Sequence, residues 1–203
     1  MLVNLNYQVA GHVKIFDPIS GEIFCEKKNA INYENMSQAL ANNVANKLQM
    51  GMSEMSFGNG GTTINETGII TYLPTNTASA SGDLYNQTYY KIIDNNNTGN
   101  LDAARNHIIV SHIPGNTYTD VILTCLLDYG EPSGQAAFDN TNNVDGTYVF
   151  DELGIRASGT AGPNTGPLLT HVVFHPIQKA LNRLIQIEYT IRISSITSII
   201  TTA

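Results

Sequence analysis

Asp151-Glu152 is an adjacent acid pair inside a β-prone run, Tyr148 to Ile155. Two carboxylates can divide acid and base work in glycoside cleavage if they flank a cleft. Neighbours on one strand point to opposite faces, so this pair is expected not to do that work. His171 and His175 stand four residues apart. On a helix that spacing would suit a metal ion. Here the run His171-Val172-Val173-Phe174-His175-Pro176 is β-branched and ends at proline, so it reads as a strand. On a strand both rings face one side, about 13 Å apart by strand rise. They cannot share one ion, and both read as structural histidines.

Asp94-Asn95-Asn96-Asn97-Thr98-Gly99-Asn100-Leu101-Asp102 resembles the start of a calcium loop, with Asp94, Asn96, Thr98, Gly99 and Asp102 at ligand-type positions. The position that should bring a bidentate Glu holds Arg105, which favours a solvated loop. Phe57-Gly58-Asn59-Gly60-Gly61-Thr62 has the glycines of a phosphate-cradling loop without its lysine, and no helix follows. It reads as a tight turn needing positive φ at several positions. No GxSxG run occurs, and no Ser or Cys stands out with a His partner. Cys25 and Cys125 lie about a hundred positions apart without zinc-type spacing and read as two small buried hydrophobes. No catalytic group, cofactor or metal is expected, and the chain reads as a non-enzyme. Tyr85, Tyr89 and Tyr90 could line a sugar or peptide groove, but such a stripe more often packs on a sheet or at a subunit interface.

The elements that must hold these residues are mostly strands. Leu2 to Asp17 alternates through Val9, His12, Lys14 and Phe16 opposite Gly11, Val13 and Ile15. Asp17-Pro18-Ile19-Ser20-Gly21 is a hairpin signal, and Glu22 to Lys27 returns. One helix follows: Met36, Leu40, Val44 and Leu48 recur every four residues. Asn32 is its N-cap, Glu34 favours its start, and Lys47 and Gly51 mark its end. Further strands are read at 55–57, 69–73, 85–93, 107–113, 118–127, 148–155, 169–174 and 184–193, with His175-Pro176-Ile177 joining the last two. The expected fold is mainly β (α+β): a β-sandwich with one amphipathic helix and long polar loops. A composition shift near 95–105 divides a hairpin, helix and β region, 1–94, from a β-sandwich attachment region, 95–203. One domain over 1–203 is the alternative.

Charged residues make up 13% of the chain, about half the usual share of ~25%. Asn, Thr, Ser and Gly replace them, so identical copies repel one another weakly. The net charge of −7 and scattered Lys and Arg argue against nucleic-acid binding. No stretch approaches the ~20 apolar residues of a membrane span. The N-terminus lacks the charged and apolar regions of a signal peptide. A cytoplasmic product is expected, and the Asn-x-Ser/Thr sites at Asn35, Asn65, Asn86 and Asn96 then carry no meaning.

Glu152-Leu153-Gly154-Ile155, then Phe174, Pro176, Ile177, Lys179, Tyr189 and Ile191, resemble the "E-[IL]-G-[LI]" and "F-x-P-I-x-K … Y-x-[IL]" strands of tailed-bacteriophage tail-fibre, collar and baseplate-attachment domains. Gly11 to Ala41 is similar to phage virion openings of strand, D-x-x-[ST]-G-E, strand, K-x-N-A-I-[HN], helix. The runs MSFGNGGTTI, GIITYLPTN and LYNQTYYKIID look phage-like too. Fibre proteins usually continue into a repetitive shaft, and this sequence stops at Ala203 without a recognisable receptor-binding tip. The resemblance therefore implies an adaptor or small complete component of the tail, baseplate or neck. It would be assembled in the bacterial host cytoplasm and located in the virion. It would form a homo-oligomer and touch other virion proteins, with neither nucleic acid nor membrane as partner. A capsid decoration or head-fibre protein is the alternative, and a carbohydrate-binding module a third. Candidate contact residues are Tyr85, Tyr89, Tyr90, Phe174, Pro176, Ile193, Ile196 and Ile199, the last three on a β-prone tail able to add a strand to a neighbour's sheet.

Overall fold

A computed structural model describes residues 2–47, 50–134 and 147–200, with the backbone alone at 2–5, 147 and 197–200. The fold is mostly β with one helix, as the sequence implies. In chain order the elements are β1 (Leu2–Phe16), β2 (Ile23–Ile31), α1 (Tyr33–Val44), β3 (Met52–Gly58), β4 (Thr62–Ile64), β5 (Ile70–Tyr72), β6 (Gln87–Ile92), β7 (His107–Ser111), β8 (Tyr118–Leu127), β9 (Thr147–Ala157), β10 (Thr170–Ala180) and β11 (Ile185–Ile200). Nine strands form one antiparallel sheet ordered β6-β3-β9-β10-β2-β1-β11-β8-β7, and β4-β5 is a separate hairpin. Strands from before and after residue 95 alternate in that order.

The sheet is two half-sheets joined at a corner. β2 pairs with β1 through Ile23–Asn29, then turns its last residues to β10, where Ala30 meets His171 and Ile31 meets Thr170. Across this seam the Lys27 ammonium donates to Val173 O at 2.8 Å. Val13, Ile15, Leu123 and Ile187 from one half share a core with Met55, Phe57, Phe150 and Leu153 from the other. The sheet must curl to bring these faces together, which makes a sandwich with one continuous apolar interior. Val9 packs against that core, on the side of Gly11 and Val13 and not of His12.

α1 begins where expected. The Asn32 side chain accepts from Asn35 N, and Glu34 lies in the first turn. It ends early, at Val44, because Asn46 turns left-handed at φ 50°; Leu48 lies outside the described residues. β10 differs more. It runs past His175-Pro176 to Ala180, and the link to β11 is Leu181–Leu184. Proline costs only a local ladder bond there, because the register shifts between Val173 and Ile177 and the segment bulges. Cys25 and Cys125 sit on one row, Cys25–Ile15–Ile187–Cys125. Three strand spacings of about 4.8 Å separate them, and both are free thiols.

Candidate functional site

β9 carries the densest group of buried ionisable residues, and a slip in its pleat creates it. Tyr148 and Phe150 face the core, and so do Leu153 and Ile155. The two-residue alternation therefore breaks at Asp151-Glu152. This places both carboxylates, with Gly154 and Arg156, off the apolar core. The opposite-face expectation for this pair fails for that reason.

Both acids grip the glycine turn that follows β3. Asp151 Oδ1 accepts from Gly61 N at 2.8 Å, and its Oδ2 accepts from Thr62 N at 2.9 Å and from the Thr62 hydroxyl. Glu152 Oε1 accepts from Asn86 N at 2.8 Å and Gly60 N at 3.2 Å. Its Oε2 accepts from Tyr85 N at 2.9 Å and meets His171 Nε2 at 3.0 Å. Burial pushes the Asp151 carboxyl above its ordinary range despite the Thr62 and Gly61 bonds. Burial pushes Glu152 the same way, but bonds from His171, Asn86 and Tyr85 outweigh it and hold Glu152 below its ordinary range. Glu152 thus contributes stability that is present above its ordinary titration and lost as pH falls below it.

The turn's glycines serve close approach, not positive φ as the sequence suggests: none of the turn's glycines is among the left-handed ones. A Cβ on Gly58 would lie 2.5 Å from Asn86 O and from Glu152 Oε1, and one on Gly60 2.7 Å from Asn86 N. Side chains there would push the turn off the carboxylates.

Beside the pair, buried Arg156 donates to Ser56 Oγ at 3.1 Å, Gln87 Oε1 at 2.8 Å and Gly166 O at 3.0 Å, and pairs with Asp83. Glu54 accepts from Asn164 N at 2.8 Å, and burial raises its carboxyl. Residues 73–86 form a strap over this layer and the start of α1. Tyr33 N donates to Thr77 O, Asn32 Nδ2 to Ser79 O, and Ala80 N to Glu34 Oε2. Among the strap residues only Leu84 is buried.

Chemically this is a latch. Each oxygen of Asp151 and Glu152 already accepts a donor from the chain. The exposed charged ends an acid–base pair would need are taken up by backbone N–H groups.

The contact residues named from sequence scatter. Tyr89 is buried against Phe57 and Tyr148, where burial raises its hydroxyl, and Phe174 packs edge-on to Phe150 at 5.7 Å. Both are core residues with no surface to offer a neighbour. Tyr90 is half-buried on the opposite side of β6 from Tyr89. Tyr85 is exposed and precedes the strand; its hydroxyl donates to Pro74 O at 2.5 Å. The three tyrosines form no common stripe. Pro176 is half-buried in the β10 bulge. His171 is fully buried, and His175 is exposed and meets the Tyr72 hydroxyl, so these two do not converge. In the calcium-like loop Asp94 Oδ1 accepts from Asn96 N, and Asp102 is paired with Arg105. Among the described residues no group of three or more His, Cys, Asp or Glu could hold a metal ion.

Ile193, Ile196 and Ile199 all fall on β11, opposite Val9, Asn6 and Val3 of β1. Ile193 is half-buried, Ile196 is exposed, and the Ile199 side chain lies outside the described residues. Here β1 and β11 outrun their neighbours. β2 stops pairing at Gly11 and β8 at Ser194. Among the described residues, no strand pairs with the outer edges of Leu2–Ala10 or Ile196–Ile200. This two-stranded ribbon carries no charged side chain from Leu2 to Gly11 or from Ile193 onward. A groove of about 520 Å³ lies between it and α1, lined by Tyr7, Val9, Ile31, Tyr33, Met36 and Leu40.

No family model, curated protein or solved structure matches the chain.

Proposed function

We propose that the chain is a non-enzymatic structural part of a tailed-phage virion, a tail, baseplate or neck adaptor that joins identical copies and neighbouring virion proteins. The observation that carries this reading is the uncharged β1/β11 ribbon with both edges open. Natural edge strands are usually blunted by lysine, proline or a covering element. Among the described residues no lysine, proline or paired strand blunts this ribbon, α1 reaches it at Val9, and its core-facing stripe continues through Val9 and Ile193 to Tyr7, which is 67% exposed. In a chain of net charge −7, a ribbon without charge is where copies meet at least Coulombic cost. The residues that carry the phage resemblance have structural roles in this fold. Glu152 holds the glycine turn, Gly154 permits the close approach of Thr170 O, and Phe174-His175-Pro176 forms the β10 bulge.

The test is co-sedimentation of the purified chain with tails and with empty heads, beside its mass by light scattering. The proposal expects a defined oligomer that binds tails. Binding to heads alone would move the assignment to capsid decoration. A monomer that binds neither would overturn it. Deleting residues 194–203 should abolish assembly, and unchanged assembly would remove the ribbon from the account.

A further inference from the structure

We infer that His171 makes the 75–82 portion of the strap releasable by acid, a device that stands independently of the assembly role. The ring is buried where β10 meets β2, paired in the ladder with Ala30. Its Nδ1 accepts from Asn76 N of the strap at 2.9 Å, and its Nε2 meets Glu152 Oε2 at 3.0 Å. A backbone N–H can only donate and a carboxylate can only accept, so the docked ring is neutral with its proton on Nε2. A second proton has one place to go, Nδ1, which faces the Asn76 N–H. Two donors cannot share that position, so a protonated ring and the Asn76 contact exclude each other.

The strap is the side that yields. Glu152 is held by the backbone N–H groups of Gly60, Tyr85 and Asn86, the last two at the strap's own C-terminal end, so its charge retains the imidazolium and that end while the 75–82 portion yields. The elements around the ring bring up, among other ionisable groups, Asp151, Glu152 and Arg156 on β9, Glu34 on α1, Lys27 on β2, and Asp83 and Tyr85 on the strap. The Tyr85 ring lies 5.7 Å from the imidazole. Lys27 is turned to Val173 O, Asp83 to Arg156 and Glu34 to Ala80 N. None of them offers Nδ1–H a replacement acceptor. The strap itself is held by polar bonds over a single buried apolar side chain, Leu84, and segments of that kind open at low free-energy cost. Adding a proton to His171 therefore selects the released strap, so docking requires the neutral ring and weakens in acid.

Hydrogen exchange of the full chain at pH 7.5 and 5.5 tests this, with His171→Asn separating the ring's response from that of the Asp151 and Glu54 carboxyls, which burial raises. After correction for intrinsic rates, amides of 75–82 should exchange about tenfold faster at pH 5.5, with β1 and β11 unchanged. His171→Asn keeps an acceptor near the Nδ1 position and does not titrate, so its strap should show no acid response. Ring-nitrogen NMR of the wild type should show the Nε2–H tautomer at pH 7.5, a readout available even if the variant does not fold. Equal strap protection at both pH values, the Nδ1–H tautomer, or an unchanged acid response in His171→Asn would each overturn the inference.

Discussion

The two half-sheets bury different chemistry. Among the described residues of β1, β2, β11, β8 and β7, every fully buried side chain is apolar or a tyrosine, as in Val13, Ile15, Leu123, Ile187 and Tyr189. On β3, β9 and β10 lie Glu54, Asp151, Glu152, Arg156, His171 and Lys179, all buried. An apolar half-sheet tolerates repacking because its contacts are non-directional. A buried polar layer tolerates little, because each group lost strands its partners. Specificity of the loop arrangement thus resides in one half. The other supplies a plain ladder that can be extended at its edges, and the open ribbon belongs to that half.

The comparison breaks first at Glu152. Glu152→Leu leaves the N–H groups of Gly60, Tyr85 and Asn86 without their acceptor and should cost about 3–5 kcal/mol, read by urea unfolding. An equal cost for Val13→Ala would erase the contrast between the halves. One added methyl then compares them directly. In Gly154→Ala the Cβ would meet Thr170 O at 2.5 Å and Leu168 at 2.6 Å, and it should cost about 1–3 kcal/mol. Gly11→Ala meets only the movable Asn29 side chain, and a thermal scan should show the smaller loss. Lys179 sharpens the point through pH. Burial pushes its ammonium down to about 8 from 10.5. The unfolded chain therefore binds more protons between those values, and stability should rise from pH 8 toward 10. Lys179→Met should flatten that rise in pH-dependent unfolding. Smallest is Ile196→Asp on the exposed ribbon, within about 0.5 kcal/mol of wild type.

Much of the frame was legible from periodicity. The β1–β2 hairpin, the Asn32 cap and the glycine turn after β3 all follow from local residue chemistry. The latch did not, because its partners are long-range. Asp151 meets Gly61, and Glu152 meets Tyr85, Asn86 and His171. Strict alternation hid it as well, since the slip at Asp151-Glu152 and the bulge at His175-Pro176 carry no signal within a period of two. A usable hint was present: an acid pair in a strand, and a glycine run without a lysine, each needed a partner. The tyrosines misled for a related reason, because aromatic content on β6 does not tell Tyr89, turned inward, from Tyr90.

The central claim is that the uncharged ribbon joins copies of this chain. Analytical ultracentrifugation of wild type, Tyr7→Asp and Ile196→Asp tests it most directly, since these residues lie on opposite faces of the ribbon. The account predicts a defined wild-type oligomer and a shift toward monomer in both variants, which keep the wild-type circular dichroism spectrum. A monomeric wild type, or variants that assemble as wild type does, would contradict it.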